Sequence, residues 1–566
     1  MRRYAAIGVG LVAAVTLTAC GGGSGSGTTN SSNPDTQSAG KQKTGGTLKV
    51  VEGTAPDSLD PDFGYTTQAA EALVQVYIPL LSYADKAGTA GTQLIPGLAQ
   101  SLPTVTNGGK TYTLTLRKGL TYSDGSPIKA SDFTHAIERS IKLPWGGSSF
   151  FTGYIKGAAA YGSKNGPKTI SGITTDDSTG KITINLTQPY GAFSNILAFE
   201  ASAPVPSNTP MKVLSAAPPI GDGPYKFSNV QPSHSYTLVK NPKYTGSNVI
   251  PGIGAGYVNE VDVTVNTNTN AEAQEVLNNQ QDIFDPADSI PAQVLPQAKQ
   301  QTDRYTVENL ASTYYFFMNT KTAPFNNVKA REAVDMATDR TALARLSAGS
   351  LVPGCHFLPP TIPGHDSNAS CVNSGDPNTS PSAATVAKAK QLVKSAGLAG
   401  TKVTVWSEQR VPRDSFCTYL NGLLNQLGFK SSIKSINDTV YFPTIGNLKN
   451  NPQIGFADWS QDFPNPSDFY LLLSKAGIQT TNNENFGQVD DPKIESQLSS
   501  LNSVPAGQLN SVASKWQALD KYVSSQSYMD VFGYSTAPKF TSTRVDYAGA
   551  IFNPVNYMLF NTVSLK

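Results

Sequence analysis

The chain has 566 residues, a net charge of +2 and only 15% charged residues. A chain of this length exceeds what one hydrophobic core can hold, so we expect several domains. The balanced charge and the absence of any basic run exclude nucleic-acid binding driven by attraction to phosphates.

The N-terminal residues have the pattern of an export signal. Residues 1–3 carry two arginines, and residues 5–18 are apolar but too short for a permanent membrane helix. The signal ends in Leu-Thr-Ala-Cys at Cys20, which resembles the bacterial lipobox; the alternative is an ordinary export signal with Cys20 there by chance. The Gly- and Ser-rich tract that follows is typical of a flexible tether. We predict a signal peptide over 1–19, lipidation of Cys20, a linker over 20–44, and anchoring to the outer face of the cytoplasmic membrane.

Strand patterns dominate the first half of the chain that follows the linker. Apolar and polar residues alternate over 111–117, and a helix that Ser131 or Asp132 would cap is predicted to run through residue 141. Further strands are predicted at residues 47–51, 181–187 and 261–265.

Helices and strands alternate in the second half. Helices are predicted over 328–337, 341–348 with Asp339 as its cap, 385–396 and 414–427. Strands at 402–406 and 430–436 enclose the last of these helices. Strand, helix and strand at this spacing predict a βαβ unit and a parallel sheet.

Three cysteines follow the predicted lipidation site, so at least one is unpaired within the chain. Cys417 lies on an apolar helical face and is predicted to be a buried thiol. Cys355 and Cys371 flank a loop rich in Pro, Gly and Asn, and a disulfide between them is the expected pairing outside the cell. A zinc site formed with His356 and His365 is the alternative, but its spacing matches no known zinc pattern. We therefore expect no metal and no cofactor.

Five segments occur in the order that is found in one family. They include a Leu-Asp-Pro end, a Gly-Asp-Gly-Pro-Tyr stretch and a Trp-Ser-Gln-Asp stretch, and they cover residues 54–61, 96–127, 221–227, 318–340 and 458–466. With these segments the sequence resembles the bacterial extracellular solute-binding proteins of the peptide/nickel type, which serve ATP-driven importers.

The resemblance implies an α/β, two-lobed, periplasmic-binding-protein-like fold with an extra inserted domain. Lobe I would combine residues 45–77, 204–311 and 530–566. The inserted domain would cover 78–203, and lobe II would cover 312–529. Two crossovers, near residues 311 and 530, would form the hinge.

The resemblance also implies a receptor and not an enzyme. It would be a monomer that captures oligopeptides between the lobes and delivers them to the permease and ATPase subunits of an ABC-type importer. Two alternatives stay open: import of a non-peptide solute such as a sugar or a metal chelate, and a signalling lipoprotein that senses peptides. Hydrolase chemistry from the two carboxylates of residues 458–462 has no support elsewhere in the chain.

A receptor for many peptides must hold what all peptides share, which is the backbone and the α-ammonium group. Asp462 occupies the acidic position of the Trp-x-x-Asp motif, which contacts the ligand's amino terminus in peptide-binding relatives. Asp458 is the competing anchor, and a capping role before Pro464 is the structural alternative for Asp462. The other expected ligand-binding residues are Trp459, which would stack on ligand or fill the core, Thr313, Tyr314 and Tyr315 beside the first crossover, and Tyr65 and Thr66 in an early loop.

The stretch before the Trp motif departs from the family pattern. Residues 452–457 contain no cation, whereas relatives that take long peptides often carry basic residues there to hold the ligand carboxylate. The carboxylate end of a ligand would then be held elsewhere or left to water, or the ligand is not a peptide.

Overall fold

The structure is a computed structural model that describes residues 42–566, apart from residues 144, 367–369, 481–482 and 556 and the side chains of 438 and 439. The predicted signal peptide, Cys20 and most of the linker lie outside the described residues. Within the part of the chain that is described, no helix is long and apolar enough to cross a membrane.

The helices match the predicted ones most closely in the second half, where 328–337 and the cap at Asp339 are confirmed. The helices are α1 Thr67–Leu73, α2 Ala130–Lys142, α3 Ser149–Thr152, α4 Ala158–Gly162, α5 Phe193–Ile196, α6 Thr269–Leu277, α7 Leu295–Lys299, α8 Val328–Ala337, α9 Arg340–Leu346, α10 Ala383–Ser395, α11 Arg413–Leu427, α12 Asp438–Ile445, α13 Pro466–Tyr470, α14 Pro492–Leu501 and α15 Ala513–Ser525.

The strands confirm each predicted strand to within two residues at either end. They are β1 Thr47–Glu52, β2 Leu81–Tyr83, β3 Leu94–Pro96, β4 Thr104–Thr106, β5 Thr111–Thr115, β6 Ile173–Asp176, β7 Lys181–Asn185, β8 Tyr225–Gln231, β9 Ser235–Lys240, β10 Glu260–Val265, β11 Ile283–Phe284, β12 Tyr305–Met318, β13 Leu351–Pro353, β14 Lys402–Glu408, β15 Lys430–Ile436, β16 Ile454–Ser460, β17 Met529–Phe540, β18 Phe552–Asn553 and β19 Tyr557–Met558.

Three larger sheets organise these strands. Their strand orders are β11-β1-β10-β9-β8, β4-β5-β7-β6 and β13-β17-β12-β16-β14-β15, and the pairs β2-β3 and β18-β19 stand apart. Strands β14 and β15 are parallel neighbours joined through α11, which confirms the predicted βαβ unit. Each larger sheet packs against its own apolar core, because alternate side chains of a strand point to the same face.

Strands β12 and β17 connect the cores. They pair antiparallel from Tyr305 and Phe540 at one end to Phe317 and Met529 at the other, with register shifts between Asn309 and Thr313 and between Tyr314 and Tyr315. Leu310 belongs to the core that also holds β1, whereas Phe317 belongs to the core around α15. The predicted crossovers fall on these two strands; the lobe boundaries and the hinge stay predictions.

One predicted cap is wrong. Helix α2 begins at Ala130, so Ser131 and Asp132 lie inside its first turn. Asp132 instead accepts a hydrogen bond from the backbone N–H of Lys129 at 2.9 Å, which satisfies the helix start from within. The Ser131 hydroxyl donates to Asp177 at 2.9 Å.

The cysteines take the arrangement that the sequence favours. Cys355 and Cys371 form a disulfide bond, and Cys417 is a buried free thiol whose pKa is raised by burial to about 11. Because the two loop sulfurs bond to each other, they do not serve as zinc ligands. Among the described residues, no group of three or more His, Cys, Asp or Glu side chains could hold a metal ion.

Residues 54–61, the first of the five family-like segments, lead into a set of buried charges. Arg139 of α2, Asp60 and Asp62 form this set, here called the Arg139 cluster. All three side chains are fully buried, and the Arg139 guanidinium bonds both carboxylates, with 2.9 Å to Asp60 Oδ2. Burial raises the pKa of Asp62, and the charge of Arg139 opposes that rise. The cluster ties the early loop to α2.

Candidate functional site

A cavity of about 430 Å³ lies among segments that are far apart in the sequence. Its volume is within the usual range for small-ligand sites. Its wall includes Tyr65 and Thr66 before α1, Trp145, residues 195 and 198–201, residues 458–462 at the end of β16, Glu484 and Tyr557. A larger groove of about 710 Å³ lies among α8 to α11. Its carboxylate, Asp339, already caps α9, so the smaller cavity is the better candidate site.

Asp462 lies in this cavity with one oxygen unpaired. The Tyr65 hydroxyl donates to Asp462 Oδ1 at 2.5 Å, whereas Asp462 Oδ2 is shielded from solvent and has no hydrogen-bond partner among the described residues. Burial raises the pKa of Asp462 to about 6, and the bond from Tyr65 opposes this rise. The site therefore holds a carboxylate whose charge is not neutralised by any nearby residue in the described part of the chain.

Asp468 positions the residues around Asp462. Its Oδ2 accepts hydrogen bonds from the Trp459 indole N–H at 3.1 Å and from the backbone N–H of Asp462 at 2.9 Å. Burial, and next the charge of Asp462, raise the pKa of Asp468. Sequence reasoning missed this residue, although Asn465 and Pro466 before it signal the start of a helix whose first turn favours an acid.

Asp458, the competing anchor, is already neutralised. Arg413 Nη2 lies 2.5 Å from Asp458 Oδ2, and Nη1 of the same guanidinium lies 2.8 Å from Glu408 Oε2. Asp458 therefore has a cation within the protein, whereas none of the described residues supplies one to Asp462.

Two further acidic residues, Glu200 and Glu484, line the cavity, and the sequence analysis did not identify them. Burial raises the pKa of Glu200 to about 7, and burial together with the charge of Asp462 raises the pKa of Glu484 to about 7. Among the described residues that line the cavity, there is no Lys, Arg or His. The cavity is therefore strongly acidic in character.

Four of the residues predicted to bind ligand meet at this cavity: Asp462, Trp459, Tyr65 and Thr66. The Thr66 side chain caps α1 by accepting from the Ala69 N–H at 3.4 Å, and its hydroxyl donates to Asp57 at 3.0 Å. Thr66 thus shapes the loop that carries Tyr65.

The other three predicted residues, on β12, are not placed on the cavity wall. Thr313 and Tyr315 share one face of the strand and are buried; the Thr313 hydroxyl donates to the Phe357 carbonyl at 2.8 Å, and Tyr315 packs against the Phe357 ring. Tyr314 points to the other face and packs edge-on against Phe416 and Phe456. Their assignment to the ligand stays a prediction without a contact at this site.

The sheets, the two long connecting strands and the cavity between distant segments define a two-lobed α/β solute-binding protein. A model of the family described as bacterial extracellular solute-binding proteins, family 5 Middle, matches residues 93–480. The chain belongs to this family, which confirms the resemblance given by the sequence motifs.

The chain is also similar to known proteins over part of their length. The chain is 27% identical over 377 residues to the oligopeptide-binding protein OppA of Bacillus subtilis (strain 168), an alignment that covers 65% of each chain. It is 28% identical over 368 residues to the probable deoxycholate-binding periplasmic protein YgiS of Escherichia coli (strain K12), covering 60% of this chain and 61% of the relative. The chain thus spans less than two thirds of these relatives.

The solved structure of clavulanic acid biosynthesis oligopeptide binding protein 2 superposes with a TM-score of 0.80 at 20% identity, over 94% of this chain and 100% of that one. A likeness at this identity establishes the fold, and it confirms the predicted fold class.

Proposed function

We propose that this protein is an extracytoplasmic receptor that captures oligopeptides in the cavity and delivers them to an ABC-type importer. The observation that carries the proposal is Asp462 Oδ2, which has no partner in a cavity whose described lining contains no cation. The α-ammonium of a peptide is a cation that every unmodified linear peptide supplies. The relatives are named for oligopeptide and for deoxycholate binding, so the charge of the site, and not the family, favours the peptide.

The ammonium would form an ion pair with Asp462 in a site from which water is displaced. At about 4 Å and an effective dielectric constant of about 20, such a pair contributes roughly 4 kcal/mol before desolvation. Trp459 and Tyr65 line the same space, and aromatic faces attract a cation. The remaining donors of the ammonium group can bond other acceptors of the wall.

The carboxylate end of the peptide would be left to water, because no described lining residue is cationic. Water adapts its hydrogen bonds to each ligand. A receptor that fixes one end and leaves the other solvated tolerates peptides of different length.

The decisive experiment combines a variant with a modified ligand. Asp462→Asn removes the charge at constant size, and it should weaken binding of a tripeptide by roughly thirty- to several-thousand-fold, because truncating a buried charge pair costs about 2–5 kcal/mol. N-acetylating the peptide should cause a similar loss in the wild type and little further loss in the variant, because both changes remove the same pair. Isothermal titration calorimetry measures all four combinations.

Asp458→Asn serves as the comparison in the same titrations. Arg413 neutralises Asp458, so this variant should bind the free peptide within about threefold of the wild type. Equal binding of free and acetylated peptides by the wild type would show that Asp462 is not the ammonium site. Tight binding of an amine-free bile acid with no binding of peptides would favour a non-peptide solute instead.

Anchoring through Cys20 and delivery to permease and ATPase subunits, by a monomer, complete the proposal. A Cys20→Ala variant expressed in a bacterial host should lose palmitate labelling and move from the membrane to the soluble fraction. A wild-type protein that carries no lipid label would contradict the anchor.

A further inference from the structure

Asp462 is not the only acceptor in the cavity that lacks a partner. Asn195 of α5 lines the same cavity and is only 3% exposed. Its amide nitrogen donates to the Tyr83 hydroxyl at 2.9 Å, whereas its Oδ1 has no hydrogen-bond partner. A buried amide oxygen without a donor costs free energy unless a ligand supplies one.

Glu200 lies five residues beyond Asn195 and lines the cavity with it, and Glu484 lines the same cavity, where the charge of Asp462 acts on it. The pKa of Tyr83 is raised by burial and further by the charge of Glu200, so Glu200 acts on the residue that holds Asn195. Besides Asp462 and the Arg413-paired Asp458, the cavity wall thus carries Glu200, Glu484 and Asn195, whose amide oxygen is buried and unpaired among the described residues.

Acceptors of this kind select the chemistry of a ligand group. An anionic or apolar side chain would leave them unpaired, whereas a guanidinium offers five N–H donors and a permanent positive charge, and an ammonium offers three. Burial raises the pKa of both glutamates to about 7, and a cation placed beside them would favour their charged form.

The cavity wall also offers flat apolar surface. Trp145 and Phe199 line the cavity, with their ring centroids 5.6 Å apart. A guanidinium stacks on aromatic faces, and the methylene stem of arginine or lysine covers apolar surface.

We propose that Glu200, Glu484 and Asn195 form a second cation subsite, which takes the arginine or lysine side chain at one of the first two positions of a peptide. The ammonium on Asp462 and the basic side chain on this subsite together neutralise the acidic cavity. The protein is then selective for peptides that are basic near the amino terminus. This inference rests on the peptide-binding function proposed above and names its preferred substrate.

The test compares arginine with citrulline, which has nearly the same shape but no charge. Calorimetric titrations use Arg-Ala-Ala with Cit-Ala-Ala, and Ala-Arg-Ala with Ala-Cit-Ala, at pH 7.5. At one of the two positions the wild type should prefer arginine by at least about tenfold, as expected for a charge-assisted pair. In the Glu200→Gln/Glu484→Gln variant this ratio should fall to within about twofold of one.

Asn195→Ala provides a second variant that keeps both carboxyl groups. Its arginine-to-citrulline ratio should fall by a smaller factor, because one neutral acceptor is lost. Binding of the citrulline peptides by each variant demonstrates that its cavity is folded, so a lost preference is not a lost structure.

The outcomes distinguish the proposed cation subsite from the peptide-binding function on which it rests. If arginine and citrulline peptides bind the wild type equally at both positions, and Asp462→Asn weakens both, the subsite is refuted while the peptide receptor stands. A preference that survives in the double glutamine variant also refutes the subsite. If none of the four peptides binds, the proposed function fails and the subsite fails with it.

Discussion

Two regions of the molecule bury several carboxylates each, and they treat the charge in opposite ways. In the Arg139 cluster, a guanidinium bonds both acids inside the fold. In the second region, here called the Asp462 cluster and made of Asp462, Asp468 and Glu484, burial raises every pKa and no cation is among the causes that lower it. Burying an ion costs free energy in both places, but among the residues that the structure describes, the compensating charge is found in the first region alone.

The difference indicates what each region is for. A carboxylate paired inside the protein stabilises one arrangement of chain segments, and Asp60 does so between the early loop and α2. A carboxylate left without a cation makes the empty site less stable, and a ligand that supplies the cation recovers that free energy. Unpaired buried charge is therefore a better guide to the ligand than acidity alone.

The largest expected effect comes from breaking the paired region. Arg139→Met should destabilise the protein by about 3–5 kcal/mol, because two buried acids lose their cation. Chemical denaturation followed by circular dichroism measures the loss. Replacing Asp60 and Asp62 by Asn in the same variant should restore part of the stability, since no uncompensated charge then remains. A loss below about 1 kcal/mol in the free energy of unfolding of Arg139→Met would show that the Arg139 cluster does not stabilise the fold.

An effect of intermediate size is expected in the pH dependence of peptide binding, which tests the unpaired charge of Asp462. The pKa of Asp462 is raised from its ordinary 3.8 to about 6, so below about pH 6 a proton must leave before a cation binds. Peptide affinity should therefore fall as the pH drops below about 6, by up to about tenfold per unit. The stability of the ligand-free protein should move oppositely and decrease as the pH rises from about 4 to 6, because the folded state holds the proton more tightly.

Asp462→Asn is the control for this titration. It should flatten the binding profile below about pH 6, and any dependence left near pH 7 belongs to Glu200 and Glu484, whose pKa values lie at about 7. An unchanged profile in the variant would mean that another group controls binding.

The smallest expected effect comes from the Tyr65 hydroxyl, which donates a hydrogen bond to the Asp462 carboxylate. Tyr65→Phe removes the hydroxyl that bonds Asp462 Oδ1 and that lowers the pKa of Asp462. The inflection of the binding profile should then move above pH 6 by about one to two units, because a hydrogen bond to a charged group contributes about 1.5–3 kcal/mol and one pKa unit corresponds to about 1.4 kcal/mol. A shift to lower pH would contradict the assignment of Tyr65 as donor.

The local sequence pattern was enough to predict Asp462 and Trp459 at this cavity, but it was not enough to predict Glu200 and Glu484. Asp462 and Trp459 stand in a contiguous motif, and the elements that carry them follow from apolar spacing. Glu200 and Glu484 lie in a short turn and a loop without periodicity, and their burial is set by segments hundreds of residues away. No signal in either local sequence separates them from surface acids.

The residues of β12 show a second limit of prediction from the sequence. A strand places alternate side chains on two faces, and the sequence predicts that alternation but not which face meets the cavity. Both faces here pack against apolar cores: Tyr315 on one side and Tyr314 on the other. The face that borders a ligand is decided by what packs on the strand, which is a property of the whole fold.

If the two lobes bend about the register break in β12, the segment that carries Asp462 lies close to the bending axis. Ser460 is paired with Ser312, directly beside the break between Asn309 and Thr313. The strand has 14 residues and is about 45 Å long at about 3.3 Å per residue, so a bend of about 10° at its middle would swing each end by about 4 Å. Asp462 follows Ser460 by two residues, a reach of at most about 7 Å, and would move by about 1 Å or less. If the lobes open about this break, the proposed ammonium anchor would therefore move much less than the ends of the strand.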